Sequence, residues 1–358
     1  MRTSLLCLLS ALSLPAAPSA MAQPAITLEG ISPAEIRRAK PGHVLRVYPQ
    51  IGGALNAKAF RLIYRSTGLN GEPIAVSGTV IYPVGPPPKG GRDVIAWAHY
   101  TTGVAERCAP TLLPNLGGTI PGLEQMLGKG YAVVATDYEG LGVPGVHAYL
   151  VGVSEARSVL DRCARRASSP TCMRRTASSC GAIRRAGHAA FFTGALAATY
   201  APELKLLGIA AAAPAVNLVE LFKGQKASIA GDGLVAMALL SWSRTYNIPV
   251  GTVLEDGAEA SFERVAESCI QSISQMLSLL QLAKPLKKTF LKGDPTTIPI
   301  WREMMEKNSI STAPPGVPCS SPRDRRQERQ RADDRRLCQE AVRRRRARGS
   351  QAAEGRLA

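Results

Sequence analysis

The stretch Cys180–Gly194, "CGAIRRAGHAAFFTG", lies where a strand should give way to a helix. From Gly187 and His188 onward it reads as a glycine-initiated helix, "GHAAFFTGALAATY", followed by a buried strand, "LKLLGIAAAAPAV". A serine raised on such a turn attacks an acyl carbon when a histidine takes its proton and a carboxylate orients that histidine. Yet "AIRRAG" holds no serine, and a guanidinium cannot play that part. Other groups able to take part in chemistry sit at the ends of strand-like runs: His99 in "WAHYTTG", Asp137 in "VVATDYEG" and His147 in "GVPGVHAYLVG".

The elements around these residues alternate in type. "VLRVYPQI" and "AFRLIYRSTGLNGEPIAVSGTVIYP" predict an antiparallel region, with "LNGEP" as the turn between two strands. "DVIAWAHYTTG" and "GYAVVATDYEGLG" are buried strands running into polar loops, and "GLEQMLGKG" is a helix between them. A further helix begins at Ser154, and another covers 188–200. Buried strands alternating with helices predict an α/β fold with a mostly parallel sheet. Residues 217–312 carry helical patterns without a clear strand, which predicts a helical cap. The apolar runs "GLVAMALL" and "MLSLLQLA" within it suit an acyl-chain pocket and ordinary core packing equally well.

The chain has 358 residues and is 45% hydrophobic, enough for a sizeable core. Its first 22 residues pair an early Arg2 with an apolar run from Leu5 to Leu14 and small residues at Ala20 and Ala22. That is the pattern of a signal peptide and predicts a secreted or periplasmic protein. No later apolar run reaches the roughly 18 residues of a membrane span. The net charge of +17 is concentrated in two segments. Residues 162–187 hold seven Arg and no acid, and residues 319–358 hold thirteen Arg against six acids. All twelve Lys lie elsewhere, although a binding patch for nucleic acid usually mixes the two cations. The spacing of the Cys matches no zinc site, no phosphate-binding glycine loop is present, and neither a metal nor a cofactor is expected.

The stretches "ALNAKAFRLIYRSTGLNGEPIAVSGTVIYP", "VIAWAHYTTGVAERCAPT", "GYAVVATDYEGLGVPGVHAYLVGVSEARSVLD", "GHAAFFTGALAATYAPELKLLGIAAAAPAVNLVELF" and "NSISTAPPGVP" together resemble the secretory lipase family of α/β-hydrolases. The resemblance covers most of residues 45–318 and implies an α/β-hydrolase fold that cleaves lipid or other small carboxylic esters through a serine acyl-enzyme. It places a G-x-S-x-G elbow just before "HAAFFTG", with Gly187 and His188 as its remnant and Arg184 at the nucleophile position. It makes "WAHYTTG" the oxyanion-side loop, with the backbone of Tyr100 and Thr101 facing the oxyanion and the His99 side chain structural. Asp137 then shapes a loop, His188 packs or caps, and His147 lines the pocket or serves the loop. The acid and the histidine should follow Pro318, where the family-like sequence stops, and the tail contains no histidine.

Reading residues 162–187 in a shifted frame, with suitable synonymous codons, permits "VRAARQLPDMHAANRFVVWGHSQGG" directly before "HAAFFTG". Similar shifts after Pro318 permit "VLVAQG" and then "TADRNVSAPTTAGFAKKLCAAGG". The protein sequence allows these codons without dictating them. They restore a strand, an elbow and an acid loop, and a shifted frame in GC-rich DNA also explains the Arg excess. Five of the eight Cys fall in the two odd segments and Cys7 in the leader, which leaves Cys108 and Cys269 as either one disulfide or two separate buried thiols.

The expected organisation is therefore a signal peptide at 1–22, a hydrolase core at 23–216 with 162–187 out of frame, a cap at 217–312, and an Arg-rich disordered tail at 313–358. The chain as written is expected to fold poorly near 162–187 and to lack activity. A catalytically dead lipid-binding relative is one alternative, and anion or nucleic-acid binding through the tail is another.

Overall fold

The computed structural model describes residues 28–50, 54, 56–163, 173–183, 185–212, 214–225, 229–284, 290–310 and 319–320. The segment expected to be a signal peptide, Arg184, Pro318 and the tail beyond 320 lie outside the described residues.

Three strands, β1 (Val44–Pro49), β2 (Ala57–Thr67) and β3 (Pro73–Pro83), form an antiparallel meander. The turn between β2 and β3 uses Gly71 at φ +92°, a left-handed conformation that glycine takes without strain. Strands β4 (Arg92–Ala98), β5 (Ala132–Thr136), β6 (Met173–Ile183), β7 (Lys205–Ala212) and the two-residue β8 (Cys319–Ser320) complete the sheet. Its order is β1-β2-β3-β5-β4-β6-β7-β8, and the pairs from β5 through β8 are parallel. Parallel neighbours need crossovers, and helices supply them. These are α2 (Leu123–Gly128) between β4 and β5, α3 (Gly152–Cys163) between β5 and β6, and α4 (Arg185–Tyr200) between β6 and β7. All five residues of β5 are buried, as expected for a strand covered on both faces.

Part of the stretch expected to fold poorly is placed as a strand. Met173–Ile183 takes the place between β4 and β7 as β6, and α4 starts at Arg185, three residues before the expected 188. The cause is backbone pairing with two parallel neighbours, which satisfies N–H and C=O groups whatever the side chains are. The register shifts on both sides of β6, so the pairing is irregular.

Between β7 and β8 the chain forms α5 (Leu218–Gln225), α6 (Ile229–Tyr246), α7 (Glu259–Ala266), α8 (Ile273–Ala283) and α9 (Pro299–Lys307). Their core is built on Met237, Leu239, Trp242, Phe262 and Trp301, each fully buried. Val235 to Leu240, the heart of "GLVAMALL", are buried in that core, so this run does ordinary packing. No helix among the described residues is long and apolar enough to cross a membrane.

Candidate active site

The C-terminal ends of β4, β5 and β6 converge at one edge of the parallel sheet, where this fold places ligands. Beyond the end of β6 comes α4, whose third residue is Gly187. A Cβ there would stand 2.6 Å from Pro214 Cβ and 2.8 Å from Pro214 Cα, so glycine is required by the close approach of the loop after β7. Arg184 lies outside the described residues.

His188 follows and is fully buried. Its Nδ1 lies 2.8 Å from Glu155 Oε2 and its Nε2 lies 2.8 Å from the carbonyl oxygen of Asn308. A carbonyl can only accept, so Nε2 carries a proton, and the Nδ1–carboxylate contact shares another. Neither nitrogen is left to take a proton from a nucleophile. Glu155 also accepts from the Leu150 amide at 3.2 Å, where Leu150 sits at φ +55°. The Asn308 side chain accepts from Gly152 N–H at 3.1 Å and donates to Tyr246 at 2.8 Å and to the Met304 carbonyl at 3.0 Å. This network locks α3, α4 and the end of the helical insertion together.

At the end of β4, His99 is buried with Nε2 3.3 Å from Thr119 Oγ1, and its carbonyl accepts from the Tyr138 hydroxyl at 3.3 Å. That bond orients the His99–Tyr100 peptide plane, which turns the Tyr100 N–H away from Tyr138. Tyr100 and Thr101 are partly exposed, and Thr101 Oγ1 lies 3.0 Å from the Tyr149 hydroxyl. Burial pushes the Tyr100 phenol above its ordinary pKa.

Asp137, the residue after β5, is a fully buried carboxylate. It accepts from Ser77 at 2.6 Å, from the Thr111 hydroxyl at 2.5 Å and from the Thr111 amide at 3.1 Å. Burial raises its pKa to about 6, against the opposing pull of these bonds and of Arg61. It fastens the loop after β4 to β3 and β5. Tyr138, next in sequence, sits at φ +71°, an uncommon conformation for a bulky residue and one found at functional edges. His147 is buried, with Nδ1 against the Glu139 carbonyl and its ring beside those of Tyr138 and Tyr149. Its own carbonyl accepts from Ser241 of α6 at 2.6 Å.

Cys108 and Cys269 are joined as a disulfide with a Cα–Cα distance of 5.3 Å. Around it, Ile270 N–H donates to the Thr102 carbonyl at 2.9 Å, Arg107 to the Glu267 carbonyl at 2.8 Å, and Gln271 to the Cys108 carbonyl at 2.7 Å. The loop carrying Tyr100 and Thr101 is thus fastened to the helical insertion. Among the described residues no group of three His, Cys, Asp or Glu is placed to hold a metal ion. Sequence reasoning did not single out Tyr138, Tyr149, Glu155 or Asn308, each of which has a partner distant in the chain.

A sheet of this order, a helix α4 packed at Gly187 against the loop after β7, and a helical insertion before the last strand define an α/β-hydrolase. The sequence profile of the secretory lipase family matches residues 120–320, more than half of the chain, and the chain belongs to that family. Lipase A of Moesziomyces aphidis is 27% identical over 207 residues, which span 53% of this chain and 43% of that protein, so the match covers less than half of the relative's length. The fold is similar to that of LipA, a rice cell wall degrading esterase from Xanthomonas oryzae, with a TM-score of 0.65, 20% identity, and coverage of 79% of this chain and 83% of that one. Candida antarctica lipase A in its closed state gives a TM-score of 0.64 at 20% identity over 81% and 71% of the two chains.

Proposed function

We propose that this protein derives from an exported carboxylic ester hydrolase acting on lipid or other small esters, and that the chain as written does not turn over. The observation that carries the reading is the turn after β6. Gly187 meets Pro214 as an elbow glycine must, yet the nucleophile position carries Arg184. In a working site of this design a serine at that position would attack the ester carbonyl. Backbone N–H groups, here those of Tyr100 and Thr101, would hold the oxyanion, usually a large part of the rate. An acid and a histidine placed after β8 would complete the relay. The chain offers no histidine beyond Pro318, and His188 is committed to Glu155 and Asn308.

The two Arg-rich segments are read as shifted-frame translations, left by a disrupted gene or by an error in reading its DNA. The test has two arms. The DNA across codons 160–190 and 315–358 should read as a lipase in another frame, and codons that do not would overturn the shifted-frame explanation. The 358-residue product should leave p-nitrophenyl esters intact, and turnover by it would overturn the inactivity.

A further inference from the structure

Helix α8 buries one stripe and bares another. Leu279 and Ala283 pack inward, and Gly233 of α6 makes room, since a Cβ there would stand 3.1 Å from the Leu279 side chain. Ile273, Met276, Leu277 and Leu280 recur at the i, i+3, i+4, i+7 spacing that shares one helical face. Ile273 is 82% exposed, Leu277 56% and Met276 37%, with Leu280 half-buried. Single exposed apolar residues are ordinary, but a contiguous stripe of them marks a contact surface.

Lys284 continues the same face one turn further on, its ammonium bonded to Gln281. From Ser268 to Gly293 the sequence carries four Lys and no Asp or Glu, and one of these, Lys292, pairs with Asp256 at 2.9 Å. Four side chains on one short helix fall well short of the about 800 Å² per partner that a stable protein interface needs. A lipid surface imposes no such minimum, taking an apolar helix face with lysine at headgroup level. The face is also held rigidly. Ser272 caps the helix, accepting from Gln275 N–H at 3.2 Å, and the residues just before it are fastened to the 102–109 loop by the disulfide, Ile270 and Gln271.

We propose that the bared face of α8 docks the protein on an anionic lipid surface, with Ile273, Met276 and Leu277 among the acyl chains and Lys284 at the headgroups. The choice of partner rests on the lipid-ester reading above. Docking itself requires no nucleophile.

The experiment uses the full chain and phosphatidylcholine vesicles containing phosphatidylglycerol, at salt high enough to screen the Arg-rich tail. In a Leu277→Trp variant the added indole emission should shift to the blue when vesicles are added. An Ile273→Gln/Leu277→Gln variant should partition about tenfold more weakly, from the loss of two apolar side chains. Its near-ultraviolet circular dichroism should be unchanged, since both positions are exposed. Vesicle binding without a blue shift, or equal partition of the double variant, would overturn the proposal. So would a dimer in the absence of lipid that the double variant abolishes, which would give the face to a second copy. Loss of docking would leave the ester-hydrolase reading standing, because the DNA sequence tests that reading separately.

Discussion

Arg162, next to last in α3, is 4% exposed, and among the described residues neither Nε nor Nη2 finds a hydrogen-bond partner. Burial lowers its pKa to about 10, and the Tyr64 ring at 5.9 Å is a weak substitute for an anion. It is also the first residue of the segment read as out of frame. Arg162→Met keeps the aliphatic stem and removes the charge, and it should raise stability by about 1–2 kcal/mol in urea unfolding. A loss of stability would show that the guanidinium is well accommodated. Two buried carboxylates give a second expectation. Asp137, and Asp161 between the Ser66 and Tyr200 hydroxyls, are both raised to about 6 by burial. Each holds its proton more tightly folded than unfolded, where an Asp titrates near ~3.9. Their contribution is therefore complete below about pH 4 and is lost as pH rises through about 6. The urea midpoint should be higher at pH 5 than at pH 7, with Asp137→Asn removing about half of the difference. An equal midpoint at both pH values would contradict the assignment.

At the scale of elements, the junction of β6 and α4 decides how the site edge is held. Gly187→Ala places a methyl against the Pro214 backbone, which cannot yield as a flexible side chain would. The variant should lose about 1–3 kcal/mol in chemical denaturation. Little or no loss would mean that the loop after β7 moves freely. Strands β2 to β5 were legible in the sequence because alternation, the "LNGEP" turn and short apolar runs are local signals. Strand β6 was not, because "MRRTASSCGAI" has no strand pattern and its position comes from β4 and β7. The supports of the site were hidden for a similar reason. Glu155 meets His188 across 33 residues and Asn308 meets it across 120, and no local pattern announces such contacts.

Across the whole molecule, the helical insertion is fastened to the core at several places, the Ser241 bond to the His147 carbonyl among them, and two of these can be probed separately. One is the buried His188–Asn308 contact beside α4, and the other is the Cys108–Cys269 disulfide with its surrounding hydrogen bonds. The disulfide closes 161 residues of sequence. A loop of that size confines the unfolded chain strongly, by about 5 kcal/mol in the chain-entropy account, with about 2–5 kcal/mol commonly measured on removal. Cys108→Ala/Cys269→Ala should therefore unfold at markedly lower urea. Its native-state effect should be local. Amide hydrogen exchange should quicken at 102–109 and 267–283, where only hydrogen bonds of the backbone, Arg107 and Gln271 remain, while protection near His188 and Asn308 persists. Uniformly faster exchange across the insertion would mean that the two fastenings act as one unit. Unchanged exchange at 102–109 would mean that the hydrogen bonds hold that edge without the disulfide, whose role would then lie wholly in the unfolded chain.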